Sequence, residues 1–365
     1  MPLLPDAESF RRLVEGSDTG VAATVARGIL AGIAAPYGLA VACRNAAYDR
    51  RWLPIGNAGV PVISVGNLTL GGTGKTPLVA WVARAVAAAG LRPAIVSRGY
   101  AAEAGGTSDE AAELGILLPD VPHLADRDRV AGSRAAAAAG ADIVVLDDGF
   151  QHRRLARDLD LVAVDATDPF GCGRLFPRGL LREPMRGICR ADAVILTRAS
   201  AVEPERRAAI RDELRCVAGG SLPGIWAEAS HSPRQLRTAS GGTLPIETLS
   251  GLRIAAFAGI GNPAAFRGTL ERLGAELVAF RAFPDHHRYQ PHDLASLEAW
   301  LRQCGGTMAV TTLKDLVKIR SDAIGDIPLT ALEIALSIDS GADDLHGLLA
   351  PVIARAGAAR ASGSR

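Results

Sequence analysis

The stretch VPVISVGNLTLGGTGKTP, residues 60–77, constrains what this chain can fold into more than any other. Val60 to Val65 is a short, β-branched apolar run and reads as a buried strand. Gly66, Gly71, Gly72 and Gly74 let the backbone turn tightly and offer several N–H groups to an anion. Lys75 adds a positive charge, and Thr76 puts a hydroxyl where phosphate-binding loops ligate Mg2+. From Thr76 to Ala89 the pattern is helical and alanine-rich, so the loop sits at a helix N-terminus, where the dipole favours phosphate. The strict phosphate-loop pattern asks for glycine five residues before Gly74, and Thr69 stands there. Thr69, Leu70, Gly71, Gly72, Thr73, Gly74, Lys75 and Thr76 are therefore the expected nucleotide-binding residues.

The rest of the chain reads as alternating strands and helices. Leu91–Ser97, Asp142–Asp147, Leu159–Asp165 and Ala193–Thr197 are short apolar strands, and Asp126 caps a helix that Gly140 ends after Ala139. Residues 101–125 read as a mobile loop with a short helical piece. Such alternation predicts an α/β fold, a P-loop NTPase-like doubly wound, mostly parallel sheet with a second, smaller α/β domain. The second domain is expected from strands at Ile254–Gly259, Glu276–Phe280 and Met308–Thr312 and helices beginning at Pro263 and Leu294. The expected domains are 1–50 (a membrane-associating helical segment), 51–220 (the P-loop kinase domain), 221–250 (a linker) and 251–357 (the smaller α/β domain). Residues 358–365 read as a disordered tail.

Between Arg27 and Arg44 there is no charge. The run is shorter than the ~20 residues that span a bilayer, and Pro36 interrupts it. Residues 21–44 then fit either a buried helical pair on the sheet or an interfacial segment, with Tyr37, Arg27, Arg44, Arg50, Arg51 and Trp52 near lipid headgroups. A net charge of +1 gives no bulk attraction to nucleic acid. The five cysteines are scattered without metal-ligand spacing, which points to a reducing compartment and against a zinc site.

Three further clusters carry chemistry. Asp147 and Asp148 end an apolar strand, as do the acids that hold Mg2+ beside a phosphate loop. The loop FGCGRLFPRGLLREP, 170–184, brings Arg174, Arg178 and Arg182 beside Glu183; it reads either as a solvated loop or as an anion-binding loop in which Arg182 meets a phosphate and Glu183 helps hold the metal. FPDHHRY, 283–289, is a dense polar cluster after a strand. Asp109 and Glu110 read on composition as a charged surface pair.

With VGNLTLGGTGKTP, VSRGY, SDE at 108–110, DDGFQH, GRLFPRGLLREP and FPDHHRY in view, the chain closely resembles the tetraacyldisaccharide 4′-kinase family from about Tyr37 to about Lys318. The joint occurrence of GNxxxGGxGKTP and DDGFQH is highly specific, and the resemblance also accounts for Thr69. It implies transfer of the ATP γ-phosphoryl group to the 4′-hydroxyl of an acylated glucosamine disaccharide 1-phosphate at the cytoplasmic face of the inner membrane. A peripheral, monomeric protein that binds no nucleic acid is implied. Carried onto this chain, Lys75 and the loop amides cradle the phosphates, and Thr76, Asp148, Asp147 and Glu183 hold Mg2+. Asp109 is the base, paired with His286 rather than His287, and Arg98, His152 and Arg182 contact the lipid phosphate or the transferring group. On this account Asp109 belongs to the first domain and His286 to the second, so that catalysis depends on closure. Two positions depart from the family: Cys172 stands where asparagine is expected, and Leu313 where the T-x-K-D stretch commonly has glutamate. A P-loop switch or partition-type ATPase is the competing reading, and it would need neither Asp109 nor the FPDHH cluster.

Overall fold

A computed structural model describes residues 7–99, 109–220, 222, 224–285 and 287–363, the side chains of Ala7, Glu8, Asp109 and Glu110 excepted. Two helices come first, α1 (Ala7–Glu15) and α2 (Val21–Asp49), followed by β1 (Val62–Asn67), α3 (Lys75–Ala88) and β2 (Pro93–Ser97). Next are α4 (Asp109–Leu117), β3 (His123–Ala125), α5 (Arg129–Ala138), β4 (Ile143–Asp147), β5 (Leu159–Asp165), β6 (Ala193–Thr197) and α6 (Pro204–Val217). The chain continues through β7 (Ile225–Arg237), β8 (Thr243–Pro245), β9 (Arg253–Ala258), α7 (Pro263–Arg272), β10 (Glu276–Ala282) and α8 (Pro291–Cys304). It ends with β11 (Met308–Thr312), α9 (Leu313–Ile319), β12 (Ala323–Ile324), β13 (Ile327–Ser340) and α10 (Ala342–Ala361).

The chain divides into two compact units. The first comprises residues 1–98, 124–230 and 338–365; the second, 99–123 and 231–337. In the first, strands β2-β4-β1-β5-β6-β7 run parallel, with β1 between β4 and β5. Strands β1, β2, β4 and β6 are buried along their whole length, so their near-continuous Val/Ile/Leu/Ala runs are what a sheet covered on both faces demands. In the second unit β10-β9-β11-β13 is again parallel, and its core gathers Ile254, Ala256, Phe266, Leu270, Val310 and Leu332. The fold is thus a doubly wound, mostly parallel α/β structure with a smaller α/β unit, as the sequence predicts.

Four expectations are corrected. Residues 221–250 are not a linker, since β7 and β8 lie there. The terminal residues continue a helix to Ala361 rather than forming a disordered tail from 358, because Leu345, Leu349, Val352 and Ala356 bury one stripe of α10. His346 packs its ring on Trp81 of α3 at 5.2 Å, and Arg360 donates to the Gly90 carbonyl at 2.8 Å. The cap of α5 is Asp128, whose Oδ1 accepts from the amides of Val130 and Ala131, while Asp126 accepts from the Asp128 amide one turn earlier. Finally, residues 21–44 are not a buried pair of helices but part of one 29-residue helix that runs through Pro36. By length and composition α2 is long enough to cross a membrane, and none of its apolar window is buried.

Candidate active site

The phosphate loop is built as its sequence requires. Strand β1 ends at Asn67, whose side-chain amide donates to the Thr69 carbonyl at 2.6 Å and to the Thr73 hydroxyl at 2.9 Å, closing the turn from within. Gly71 and Gly74 have φ of 108° and 79°, in the left-handed region that side chains avoid, which is why glycine stands at both. Gly74 then caps α3, so the first amides of that helix open onto the loop. Thr69 forms an antiparallel bridge with Leu181, and the Leu70 amide donates to the Leu180 carbonyl at 2.7 Å. The loop is thereby held against the 170–184 segment rather than standing clear of it.

Lys75 is buried, and its Nζ lies 3.7 Å from Asp148 Oδ1. The parallel register sets Asp147 beside Val65, so both acids leave β4 next to the loop that leaves β1. Open parallel sheets bind ligands at the carboxyl ends of such strands. Asp148 sits at φ 54°, a conformation costly for a residue with a Cβ, and it turns the carboxylate away from the strand. Arg182 Nη1 donates to both Asp148 oxygens, at 2.8 and 2.7 Å. Burial pushes this carboxyl towards the neutral form, but Lys75 and Arg182 outweigh it and hold its pKa below the usual range.

Two arginines not singled out in the sequence border the same site. Arg129 at the start of α5 is almost fully buried; burial lowers its pKa, while Asp147 and Asp148 hold the charge on. Arg198, at φ 53° just after β6, pairs with Asp165 and donates to the Gly72 carbonyl at 2.7 Å. The signal for Arg198 was its place at the carboxyl end of a strand; Arg129 carries no local signal, since only the fold brings α5 to β4. Arg98 is exposed at the end of β2, near enough for its charge to act on Arg129. His152 is part-buried, and desolvation together with Arg129 and Arg157 lowers its pKa to about 4. It is therefore a neutral imidazole at physiological pH.

Glu183 departs from expectation. It is fully buried, and Oε1 accepts from Gln151 and Arg190 while Oε2 accepts from Asn45 and Arg190. A carboxylate has about four acceptor positions, and here four hydrogen bonds use them. Glu183 leaves no oxygen for a cation in this arrangement and acts instead as the anchor of its loop. The remaining set, Asp148, Asp147 and the half-buried Thr76, offers the hard oxygen donors that Mg2+ prefers, with one carboxylate firmly ionised.

In the second unit, Asp109 is the first residue of α4, a short helix within the 101–125 stretch. That helix falls in the second unit together with residues 231–337, so Asp109 and the 283–289 motif belong to one unit rather than two. The Asp109 side chain and His286 lie outside the described residues. His287 is held by three neighbours: its Nε2 is 3.1 Å from Asp293 Oδ2, and its ring stacks on Phe283 at 4.8 Å and meets Tyr289 edge to face at 4.9 Å. Asp293 also closes the capping box of α8. In the T-x-K-D stretch, Thr312 caps α9 and donates to Asp315, whose other role is to accept from the Gly259 amide at 3.0 Å. Leu313 is buried at the head of α9.

A doubly wound sheet with a glycine loop, a buried lysine and strand-end carboxylates defines a P-loop nucleotide-binding protein. Residues 26–353 match the family model of tetraacyldisaccharide-1-P 4′-kinase, and the chain belongs to that family. The tetraacyldisaccharide 4′-kinase of Anaeromyxobacter dehalogenans (strain 2CP-C) is 42% identical over 342 residues, covering 87% of this chain and 88% of its own. That of Geobacter sulfurreducens is 38% identical, covering 88% and 92%. The crystal structure of LpxK from Aquifex aeolicus in complex with ATP superposes with a TM-score of 0.72 at 30% identity, covering 90% of this chain and 99% of that one.

Proposed function

We propose that this enzyme transfers the γ-phosphoryl group of ATP to the 4′-hydroxyl of tetraacyldisaccharide 1-phosphate, giving lipid IVA and ADP in lipid A biosynthesis. The observation that carries this reading is the buried Lys75 at the head of α3, 3.7 Å from an ionised Asp148. The Aquifex relative was crystallised with ATP, which supports the same ligand here. The loop amides from Gly71 to Thr76 and Lys75 hold the β- and γ-phosphates. Mg2+, when bound, neutralises charge on the transferring group, with Asp148, Asp147 and Thr76 as its oxygen donors. Arg182 moves charge towards the γ-phosphate and Arg98 binds the lipid phosphate, while the neutral His152 offers a hydrogen bond without adding charge. Asp109 accepts the proton of the sugar hydroxyl, worth ~10²–10⁴-fold in rate, with His286 as its partner.

The protein acts as a peripheral monomer on the cytoplasmic face of the inner membrane, with α2 as its contact. Val21, Val25, Ile29 and Ile33 recur every four residues and stay exposed, at 82, 56, 60 and 53%. An apolar stripe left in water at that spacing is what an interfacial helix presents to lipid. The deciding experiment incubates the protein with ATP, Mg2+ and the acylated disaccharide phosphate and weighs the lipid. A product heavier by one phosphate is expected, and ADP release with no change in lipid mass overturns the reading.

A further inference from the structure

Helix α2 has a second face. Past Ile33 the four-residue row drifts round the helix, and Tyr37, Val41, Asn45 and Tyr48, at spacings of four, four and three residues, turn inward. Two of them reach the very segment that carries Arg182. The Tyr37 hydroxyl donates to the Arg182 carbonyl at 2.7 Å, and Asn45 Nδ2 donates to Glu183 Oε2 at 2.9 Å. The approach is close, for a Cβ on Gly38 would lie 2.7 Å from Leu175 in the same loop.

These contacts do not end at the loop. Arg182 sits on Asp148 with its side chain while its carbonyl is held by Tyr37. Glu183 holds Gln151, and the same Gln151 amide donates to the Asn67 carbonyl at 2.7 Å, where β1 becomes the phosphate loop. Arg44 of α2 also donates to the Gln151 carbonyl at 3.2 Å. Each link is an ordinary hydrogen bond, but together they leave the Arg182 guanidinium few alternative positions.

We infer that Tyr37 and Asn45 are positioning residues for phosphoryl transfer: by fixing the main chain of Arg182 and the carboxylate of Glu183, they set where the Arg182 guanidinium stands relative to Asp148. The inference rests on the function proposed above. It gives α2 two linked tasks, meeting lipid on one face and ordering the phosphate site with the other.

The test uses the full chain, saturated with lipid substrate in detergent micelles so that membrane docking is not limiting. Tyr37→Phe removes one hydroxyl, and Asn45→Ala one amide. Loss of one hydrogen bond to a charge-bearing segment should lower kcat about three- to tenfold, with KM for ATP within about twofold and Tm nearly unchanged in Tyr37→Phe. Asn45→Gln, which keeps the donor, should recover much of the loss. In an Arg182→Ala background, Tyr37→Phe should cost nothing further, because its effect passes through that side chain. The Nε–H resonance of Arg182, assigned by its absence in Arg182→Lys, should shift in both single variants without substrate. Wild-type kcat together with an unmoved resonance overturns the inference, as does a full additional loss in the Arg182→Ala background, which would mark Tyr37 as a mere support of the fold. A wild-type protein that leaves the lipid unphosphorylated would remove the proposed function instead, and the Arg182 resonance would still decide the relay.

Discussion

At the level of single residues, burial and partners separate groups that look alike in sequence. Asp148 and Glu183 are both acids beside arginines, yet one faces the phosphate loop and the other is fully enclosed. Glu183→Ala should therefore destabilise the protein by ~3 kcal/mol in the absence of nucleotide and Mg2+, because it strands Arg190 against Phe150. Denaturant unfolding checks this, and an unchanged midpoint would return Glu183 to the role of metal ligand. His152 makes a second prediction, with a sign set by its lowered pKa of about 4. An unfolded histidine binds its proton near pH 6.5, so the folded state holds fewer protons between these values. The stability that this neutral histidine maintains is complete above about pH 6.5 and is lost as pH falls towards 4. Discounted for partial exposure, wild type should lose on the order of 1–2 kcal/mol more than His152→Gln between pH 7 and 4; parallel losses would show that the imidazole is not so perturbed. For the proposed proton acceptor, Asp109→Ala and His286→Ala should each lower kcat by at least ~10²-fold while ATP still binds, and the double variant should lose less than the product. Near-normal turnover in either single variant would remove that residue from the pair.

Among the elements, the buried ones were legible and the amphipathic ones less so. Leu159–Asp165, Ala193–Thr197 and Met308–Thr312 match the reading to the residue because each is a short, mainly apolar run that ends in a polar residue, with Asp160 the one charge inside them. The stretch around strand β7 reads as a linker because it is rich in Gly, Ser, Pro and Thr. Its polar groups are satisfied at a distance in sequence, Ser230 by Asp339 and both Gln235 and Arg237 by Glu333. Helix α2 shows the opposite limit: its composition was plain, but which of its faces is covered was not. Replacing Val25, Ile29 and Ile33 together by Gln should abolish flotation with lipid vesicles and leave Tm nearly unchanged, since all three are exposed. Undiminished flotation would separate α2 from the membrane.

For the molecule as a whole, the last helix belongs to the structure of the first unit rather than trailing from it. Ending the chain at Ser340 would expose the surface that Leu345, Leu349, Val352 and Ala356 cover. Lost burial of at least ~4 kcal/mol is expected, which for units of this size corresponds to a fall in Tm of about 10 °C or more; a truncated protein melting within ~2 °C of full length would contradict it. The sequence by itself determined the phosphate loop, the strand-end acids and the family, because glycines at turns, a lysine at a helix start and acids after apolar strands are local requirements of phosphate chemistry. Only the tertiary structure decided that Arg198 borders that loop and that Arg129 faces the strand-end acids, that Glu183 is an anchor, and that Asp109 shares a unit with the histidine motif. Those facts depend on which distant segments bury one another, and burial is a property of the packed chain that no single stretch of residues carries.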